Sequence, residues 1–320
     1  MNAVDRGIIR IEHLSHSYGQ RRALDDVSLS IDRGEVFGFL GPNGSGKTTL
    51  FRILSTLVPV QSGRVWMTGM DLAASRDQIR RHIGVVFQSP SVDKQLTPEE
   101  NLRHHGHLYG WRGQELESRI AEMLDRFGLA NRRNEYVEKL SGGLRRRVEL
   151  AKGLLIRPEI LLMDEPSTGL DPAARREMWE ALSAAQRESG LTVLVTTHLM
   201  DEAERCERLA IMDSGRVVAS GMPAQLKEQI GGDVITLTNR DLPGLRTSMR
   251  ERFGIEAEQV EGVVRLERPR AHEFVPQLVE QLPGLIESVS VGKPTLEDVF
   301  IHVTGHRFRD EPDESTRESA

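Results

Sequence analysis

Cysteine is almost absent from this sequence. The 320-residue chain carries one, Cys206, which excludes an internal disulfide and fits a reducing compartment. Long apolar runs are absent too. The longest candidates, residues 36–40 and 160–163, are strand-sized, far short of the ~20 residues that a membrane-spanning helix needs. The opening residues MNAVDRGIIR lack the apolar segment of a signal peptide. The expectation is a cytosolic chain that reaches a membrane only through a partner. A surplus of positive charge is also missing: the formal net charge is −6, which argues against nucleic acid as the principal ligand. There is no internal repeat and no heptad run. What remains is a chain of folded-protein composition, 38% hydrophobic and 28% charged, long enough for two domains.

Strand-like and helix-like stretches alternate over the first two thirds. Residues 8–12 and 27–31 are β-rich, with the turn-like Tyr18-Gly19-Gln20 between them. Residues 35–40 form an apolar run that ends in a glycine-rich loop, and 48–57 read as a helix. Residues 83–87, 160–163 and 192–196 have the character of buried strands, and 209–213 with 216–219 flank the hairpin signal Ser214-Gly215. Short apolar strands joined by helices imply a mostly parallel sheet covered on both faces. Residues 97–157 differ. Thr97-Pro98-Glu99-Glu100 supplies a capping threonine, a proline at the first helical position and two acids. Helical periodicity continues over 115–127 and 144–156, so a helical subdomain is inserted into a domain spanning residues 1–230. Gly231-Gly232 is a candidate linker. Beyond it come strand 234–238, helix 243–253, strands 255–260 and 263–267, helix 271–282, strand 286–291 and a helical stretch over 295–303. That βαββαβ order suggests a small ferredoxin-like α+β domain over residues 231–308. The polar tail, 309–320, is expected to be disordered.

The chemistry begins at Gly41-Pro42-Asn43-Gly44-Ser45-Gly46-Lys47-Thr48, which fits G-x-x-x-x-G-K-[ST] between an expected strand and an expected helix. Glycines there let backbone N–H groups curl around phosphate oxygens, and a helix N-terminus adds positive potential. Lys47 would reach the β- and γ-phosphates and the Thr48 hydroxyl would bind Mg²⁺. A chance match is rare, roughly one chain in a few hundred before the context is required. Residues 160–163 run into Asp164-Glu165-Pro166. Two carboxylates at the C-terminal end of a buried parallel strand lie where α/β proteins bind ligands. Asp164 suits a metal shell, and Glu165 suits polarising a water for attack on the γ-phosphate. Alone, the pair reads rather as ordinary acids at a solvent-exposed strand end; the phosphate loop turns the reading toward catalysis. A third stretch, LSGGLRRRVELAK from Leu140 to Lys152, places Arg145, Arg146 and Arg147 in the first turns of a helix. Cations there oppose the macrodipole unless an anion arrives.

Together these motifs resemble the ATP-binding cassette (ABC) ATPase family over residues 8–222. The resemblance implies a P-loop NTPase sheet core with the inserted helical subdomain. Tyr18 matches the aromatic that stacks on adenine. Gly41, Asn43, Gly44, Ser45, Gly46, Lys47, Thr48 and Thr49 match the Walker A loop, and Gln88 the Q-loop glutamine, a metal ligand beside Thr48 and Asp164. Residues 140–144 match the LSGGQ signature, and 160–165 the Walker B strand with Glu165 as catalytic glutamate. Ser167-Thr168-Gly169-Leu170-Asp171 matches the D-loop and His198 the switch histidine. In the family, two subunits sandwich two ATP molecules head to tail, so the Ser141 hydroxyl and the Gly142 and Gly143 amides would reach a γ-phosphate held by the other copy. The resemblance therefore implies ATP and Mg²⁺ as cofactors, a homodimer, and a membrane permease contacted from Gln88 to Tyr109. The sequence departs from the signature at Leu144, where the family usually has Gln. One neutral hydrogen bond is worth about 0.5–1.5 kcal/mol, so a weakened sandwich is expected.

The C-terminal part narrows the resemblance. Residues 294–305, PTLEDVFIHVTG, and residues 197–203, THLMDEA, are similar to segments of the daunorubicin/doxorubicin-resistance ATP-binding subunits. That implies export driven through a separate permease, on the cytoplasmic face of the cell membrane. Other readings stand beside these. His198 reads also as a buried structural histidine, Tyr18 as a core aromatic, and Arg145–Arg147 as a solvated helix face. His104 and His107 share a helix face, but no third ligand supports a metal there. Cys206 shows no reactive surroundings. The C-terminal domain reads as a dimer-stabilising appendage or as a regulator. A soluble ABC ATPase of DNA repair or translation usually adds a second cassette, coiled coils or zinc cysteines, none of which is visible. An importer subunit would share the chemistry with opposite direction.

Overall fold

The computed structural model describes residues 7–260 and 262–308; the expected disordered tail, 309–320, lies outside the described residues. The chain opens with a long hairpin, β1 (Gly7–Tyr18) and β2 (Arg21–Asp32), then β3 (Val36–Leu40), α1 (Lys47–Leu54), β4 (Ser62–Met67), β5 (Met70–Asp71), α2 (Arg76–Ile79) and β6 (Ile83–Val86). Three helices follow, α3 (Pro98–Leu108), α4 (Gly113–Arg126) and α5 (Gly142–Leu155). The chain then forms β7 (Ile160–Asp164), α6 (Pro172–Ser189), β8 (Thr192–Thr197), α7 (Met200–Ala203), the hairpin β9 (Arg208–Asp213) and β10 (Arg216–Gly221), and α8 (Pro223–Glu228). The last section is β11 (Asp233–Thr238), α9 (Leu242–Phe253), β12 (Glu258–Val260), β13 (Val263–Arg268), α10 (Ala271–Gln281), β14 (Ser288–Gly292) and α11 (Leu296–Thr304).

The central sheet has the order β10-β9-β3-β8-β7-β6. From β9 to β6 its strands are parallel, and β10 joins antiparallel at the edge. Strands β3, β7 and β8 are buried along their whole length, as strands with both faces covered must be. Alternate side chains serve two different cores. Leu161, Met163, Val193 and Val195 join a cluster with the apolar faces of α4, α5 and α6. Ile160, Leu162, Leu194, Phe37 and Phe39 join a second with α1 and the hairpin.

A separate antiparallel sheet, β2-β1-β4-β5, covers that second face. The sequence pattern shows only fragments of it. Residues 8–12 and 27–31 lie inside strands twice as long, because register shifts between β1 and β2 break the alternation. Strand β4 begins with exposed Ser62, Gly63 and Arg64 and has no apolar signal there. The expected helix 48–57 ends at Leu54, with Thr56 at φ 66. The expected strand 255–260 keeps only its last three residues, β12. Helix α6 was not visible as a periodic stretch, although Asp171 and Pro172 form its cap and first residue.

The third sheet has the order β12-β13-β11-β14, with antiparallel neighbours throughout. With α9 and α10 this is the ferredoxin-like arrangement. Gly232 enters it at φ 146, and a side chain there would collide with the backbone at Arg268 and Pro269. Helix α11 belongs elsewhere. Its Leu296, Val299 and Phe300 pack with Leu40, Leu209, Ile211 and Leu226 of the central sheet and α8. The capping box of Thr295 and Asp298 starts the helix, and Asp298 also meets buried Arg265 of β13 at 3.1 Å. Because Phe300 is fully buried, Phe300→Ala should cost about 3–5 kcal/mol. Urea unfolding followed by circular dichroism would show the midpoint fall; an unchanged midpoint would mean that α11 does not hold to the sheet.

Candidate functional site

The glycine-rich loop joins β3 to α1, a buried strand feeding a helix. Gly46, at φ 101, caps α1. A side chain there would come within 2.6 Å of the Ala23 carbonyl oxygen, so only glycine fits beneath the hairpin. Lys47 is buried, and its Nζ donates to the Gly41 and Pro42 carbonyls at 2.6 and 2.9 Å. The ammonium is thereby held inside the turn of the loop. Tyr18, Asn43, Gly44, Gly46, Lys47, Thr48 and Thr49 line one pocket of about 350 Å³. Gly41 and Ser45 lie deeper, both buried and not on its surface. Arg21 and Ala23 of β2 complete the pocket. Sequence reasoning missed both, because their nearness to the loop comes from a hairpin 20 residues upstream, with no motif of its own.

Beside the loop, β7 delivers Asp164 and Glu165. Thr196 of β8 donates its hydroxyl to Asp164 Oδ1 at 2.5 Å. Burial pushes the Asp164 carboxyl above its ordinary range, opposed by the Thr196 bond. Glu165 stands at φ 42, a left-handed conformation that costs a non-glycine residue of order 1–3 kcal/mol. Its N–H donates to the Thr196 carbonyl at 3.0 Å. Around Glu165 Oε2 gather the Gln88 amide nitrogen at 3.0 Å, His198 Nδ1 at 3.3 Å and the Thr168 hydroxyl at 3.4 Å. The His198 contact, ahead of the opposing burial, holds the Glu165 carboxyl below its ordinary range. It is therefore ionised at neutral pH. Glu202 fixes the turn that carries His198: it accepts from Thr197 Oγ1 at 2.5 Å and from Trp179 Nε1 of α6 at 3.3 Å. Gln88, the adjacent Asp164 and Glu165, and His198, three places far apart in sequence, thus meet at the ends of β6, β7 and β8.

Ser141, Gly142, Gly143 and Asp171 lie elsewhere. They line a second pocket, of about 320 Å³, that shares no residue with the first. Ser141 caps α5, accepting from the Leu144 N–H at 3.3 Å. Asp171 caps α6, accepting from the Ala173 and Ala174 N–H groups at 3.0 Å. Leu144 packs partly buried against the cluster under α4, α5 and α6. The three arginines of α5 find their partners within the chain, which the solvated-face reading did not foresee. Arg145 Nε donates to the Leu140 carbonyl at 2.9 Å, Arg147 pairs with Glu177, and Arg146 is buried against Glu149.

The segment from Gln88 to Tyr109 runs along α3, exposing Leu108 and Tyr109. The His105 and Tyr109 rings meet at a tilt of 52° with centroids 4.9 Å apart. Burial, with help from the Lys152 charge, lowers the His105 pKa to about 4. Among the described residues, no three His, Cys, Asp or Glu side chains gather as a metal-binding group. The Cys206 thiol is buried and its pKa raised by that burial.

A phosphate loop at a strand-to-helix turn, with paired acids at the end of a strand one place removed in the same parallel sheet, defines a P-loop nucleoside triphosphatase. The pattern of the ABC transporter family matches residues 24–168. The chain is 37% identical to the daunorubicin resistance ATP-binding protein DrrA2 of Streptomyces coeruleorubidus over 95% of its length and 97% of that protein. It is likewise 37% identical to the Nod factor export ATP-binding protein I of Ralstonia nicotianae, over 95% of both. Among solved structures, the dimeric cassette MJ0796 bound to ADP and Pi is similar, with a TM-score of 0.61 and 29% identity, over 67% of this chain and 98% of that one. The chain belongs to the ABC transporter ATPases, in the group of the daunorubicin resistance ATP-binding proteins. It is an ATP-hydrolysing enzyme of the kind that works with membrane transporters, and no helix among its described residues is long and apolar enough to cross a membrane.

His105 gives the Gln88-to-Tyr109 segment a pH dependence of definite sign. Its pKa in the folded chain is depressed, so the unfolded chain binds more protons. The contribution is fully present above the unfolded value of about 6.5 and lost as pH falls toward 4. Melting temperatures measured from pH 7.5 to 4 should fall less steeply for His105→Asn than for the parent chain. Equal slopes would show that His105 takes up its proton as freely as an exposed histidine.

Proposed function

We propose that this chain powers the export of a small, drug- or antibiotic-like molecule through a separate membrane permease, at the cytoplasmic face of the cell membrane. Residues 1–230 form the nucleotide-binding domain, with 97–157 as its helical subdomain, and 231–308 form a C-terminal domain. Two copies pair head to tail. The observation that carries this reading is the separation of the two pockets: Ser141, Gly142 and Gly143 share no pocket with Lys47. A second copy supplies what one chain keeps apart.

In the sandwich, ATP rests its adenine on Tyr18 and its phosphates in the loop from Gly41 to Thr49. The Ser141 hydroxyl and the amides of Gly142 and Gly143 of the other copy face the γ-phosphate, with Asp171 beside them. Mg²⁺ fits the donor set: one carboxylate, Asp164, one hydroxyl, Thr48, and the amide oxygen of Gln88, all hard oxygens. Few protein ligands plus phosphate oxygens are what magnesium takes, and it would neutralise charge developing on the phosphates. Glu165, held ionised by His198, orients and deprotonates the attacking water. His198 faces the γ-phosphate from the end of β8. Leu144 gives the signature turn an apolar anchor where a side-chain amide is lost. Exposed Leu108 and Tyr109 offer the permease an apolar contact.

The reading is tested first by substitution. Glu165→Gln should keep ATP binding while turnover falls about 10²–10⁴-fold, the usual weight of a general base. Lys47→Ala should lose nucleotide affinity. Hydrolysis by Glu165→Gln at the parent rate would remove Glu165 from this role. The partner is tested by capture of the tagged Glu165→Gln chain from gently solubilised membranes with Mg-ATP. A stoichiometric multi-span protein is the expected companion; soluble proteins or nucleic acid alone would replace the exporter by a soluble ATPase.

A further inference from the structure

We infer that Arg146 is a positioning residue for ATP hydrolysis, clamping Gln88 and Glu165 onto each other from the signature helix. The inference rests on the hydrolytic role proposed for Glu165. Arg146 Nε donates to the Pro166 carbonyl at 2.6 Å, and its Nη1 donates to the Phe87 carbonyl at 2.7 Å. Phe87 immediately precedes Gln88, and Pro166 immediately follows Glu165. One rigid guanidinium therefore holds the backbone next to each of the two side chains, which meet at 3.0 Å. Five donors in a fixed planar fork suit Arg to this task; the single Nζ of a lysine does not reproduce it.

The rest of the helix face reinforces the clamp. Glu149, one turn on, accepts from Arg146 Nη1 at 2.6 Å and from the Ser91 N–H. Lys152, a further three residues on, donates to the Ser91 carbonyl at 2.8 Å. Three residues spaced by three share one face of α5 and grip both ends of the segment that carries Gln88. The side chains of Arg146 and Glu149 are only 8% and 2% exposed. Among the described residues Arg146 Nη2 has no hydrogen-bond partner. A buried guanidinium with an unpaired donor is a poor device for stability alone, so its placement is better explained by the geometry it imposes. That geometry also joins two sites. The N-terminus of α5 carries Ser141, Gly142 and Gly143, which face the ATP of the other copy, while Arg146, five residues past Ser141, holds the hydrolytic groups of its own copy. A shift of the signature helix as ATP engages it is transmitted directly to Gln88 and Glu165.

The test compares full-length Arg146→Lys with the parent chain in steady-state ATP hydrolysis, normalised to nucleotide-binding sites by equilibrium titration. Lysine keeps the charge beside Glu149, so folding of the variant is expected. The expected result is a kcat about 10- to 100-fold lower, with KM for ATP and binding stoichiometry within about twofold. Hydrogen exchange over residues 87–93 should quicken with it, a readout independent of turnover. If Arg146→Lys does not fold, the neutral double variant Arg146→Gln with Glu149→Gln carries the same comparison. An unchanged kcat per site with unchanged exchange overturns the inference, as does a loss of kcat matched by loss of nucleotide binding. Glu165→Gln in the same assay separates the two levels. If it stops turnover while Arg146→Lys does not, only the clamp falls; if it too turns over at the parent rate, the hydrolytic reading falls first.

Discussion

Strands β3, β7 and β8 are buried on both faces, and the charged groups of the hydrolytic site are carried at or past their ends. Along β7 there is room only for Ile160, Leu161, Leu162 and Met163, divided by the pleat between two cores. Asp164 is the first residue beyond that run, and its carboxyl is pushed up by burial because it has not fully left the core. One residue later Glu165 adopts φ 42, turning its carboxylate toward Gln88 and His198 instead of along the strand. The strain of that conformation is held by the Glu165 N–H bond to the Thr196 carbonyl and by the fixed position of Pro166. The parallel register of β7 with β8 aligns Asp164 with Thr196, so the same pairing that builds the sheet places the hydroxyl on the carboxylate.

Charge within the signature helix obeys a related constraint. Cations at a helix N-terminus need compensation, and neighbouring parts of the chain supply a partner to each arginine. Arg145 and Arg146 use backbone carbonyls, and Arg147 uses Glu177 of α6. These bonds tie α5 to the turn before it, to the end of β7 and to α6, so the helix that presents Ser141 is braced on three sides. The Ser141 and Asp171 caps place two helix N-termini on one pocket. Both concentrate N–H donors and partial positive charge there, a suitable face for a phosphate.

The central chemistry was legible because it is local. A phosphate loop, an acidic strand end and a Ser-Gly-Gly cap are each contiguous, and their meaning lies in residues a few positions apart. The ferredoxin-like order was legible for the same reason, since its elements alternate cleanly in sequence. What escaped was contact across distance. Arg21 and Ala23 meet the loop only because the hairpin of β1 and β2 folds over it. The bulges of that hairpin, with His13 at φ 50 and Asp26 at φ 57, destroyed the alternation that would have revealed its length. Arg146 looked like one of three equivalent arginines, yet its partners lie 59 and 20 residues away in the chain. No periodicity marks a side chain whose role is to join two backbone carbonyls.

The closing segment shows how a motif can signal a family while its residues serve the fold. In TLEDVFIHVTG, Thr295, Asp298 and His302 have structural work. Thr295 and Asp298 cap α11 reciprocally, and Asp298 also compensates Arg265, whose side chain is 4% exposed beneath it. His302 stands 3.3 Å from Glu267 of β13. The apolar members, Leu296, Val299 and Phe300, join the cluster of Leu40, Ile211 and Leu226, to which Val234 of β11 also belongs. Helix α11 thus binds β13 with its charges and the central sheet with its apolar face. Leu40 is the last residue of the strand that leads into the phosphate loop, so α11 helps seat the strand on which Lys47 depends. A C-terminal unit attached this way shares a close-packed core with the strand that leads into the phosphate loop.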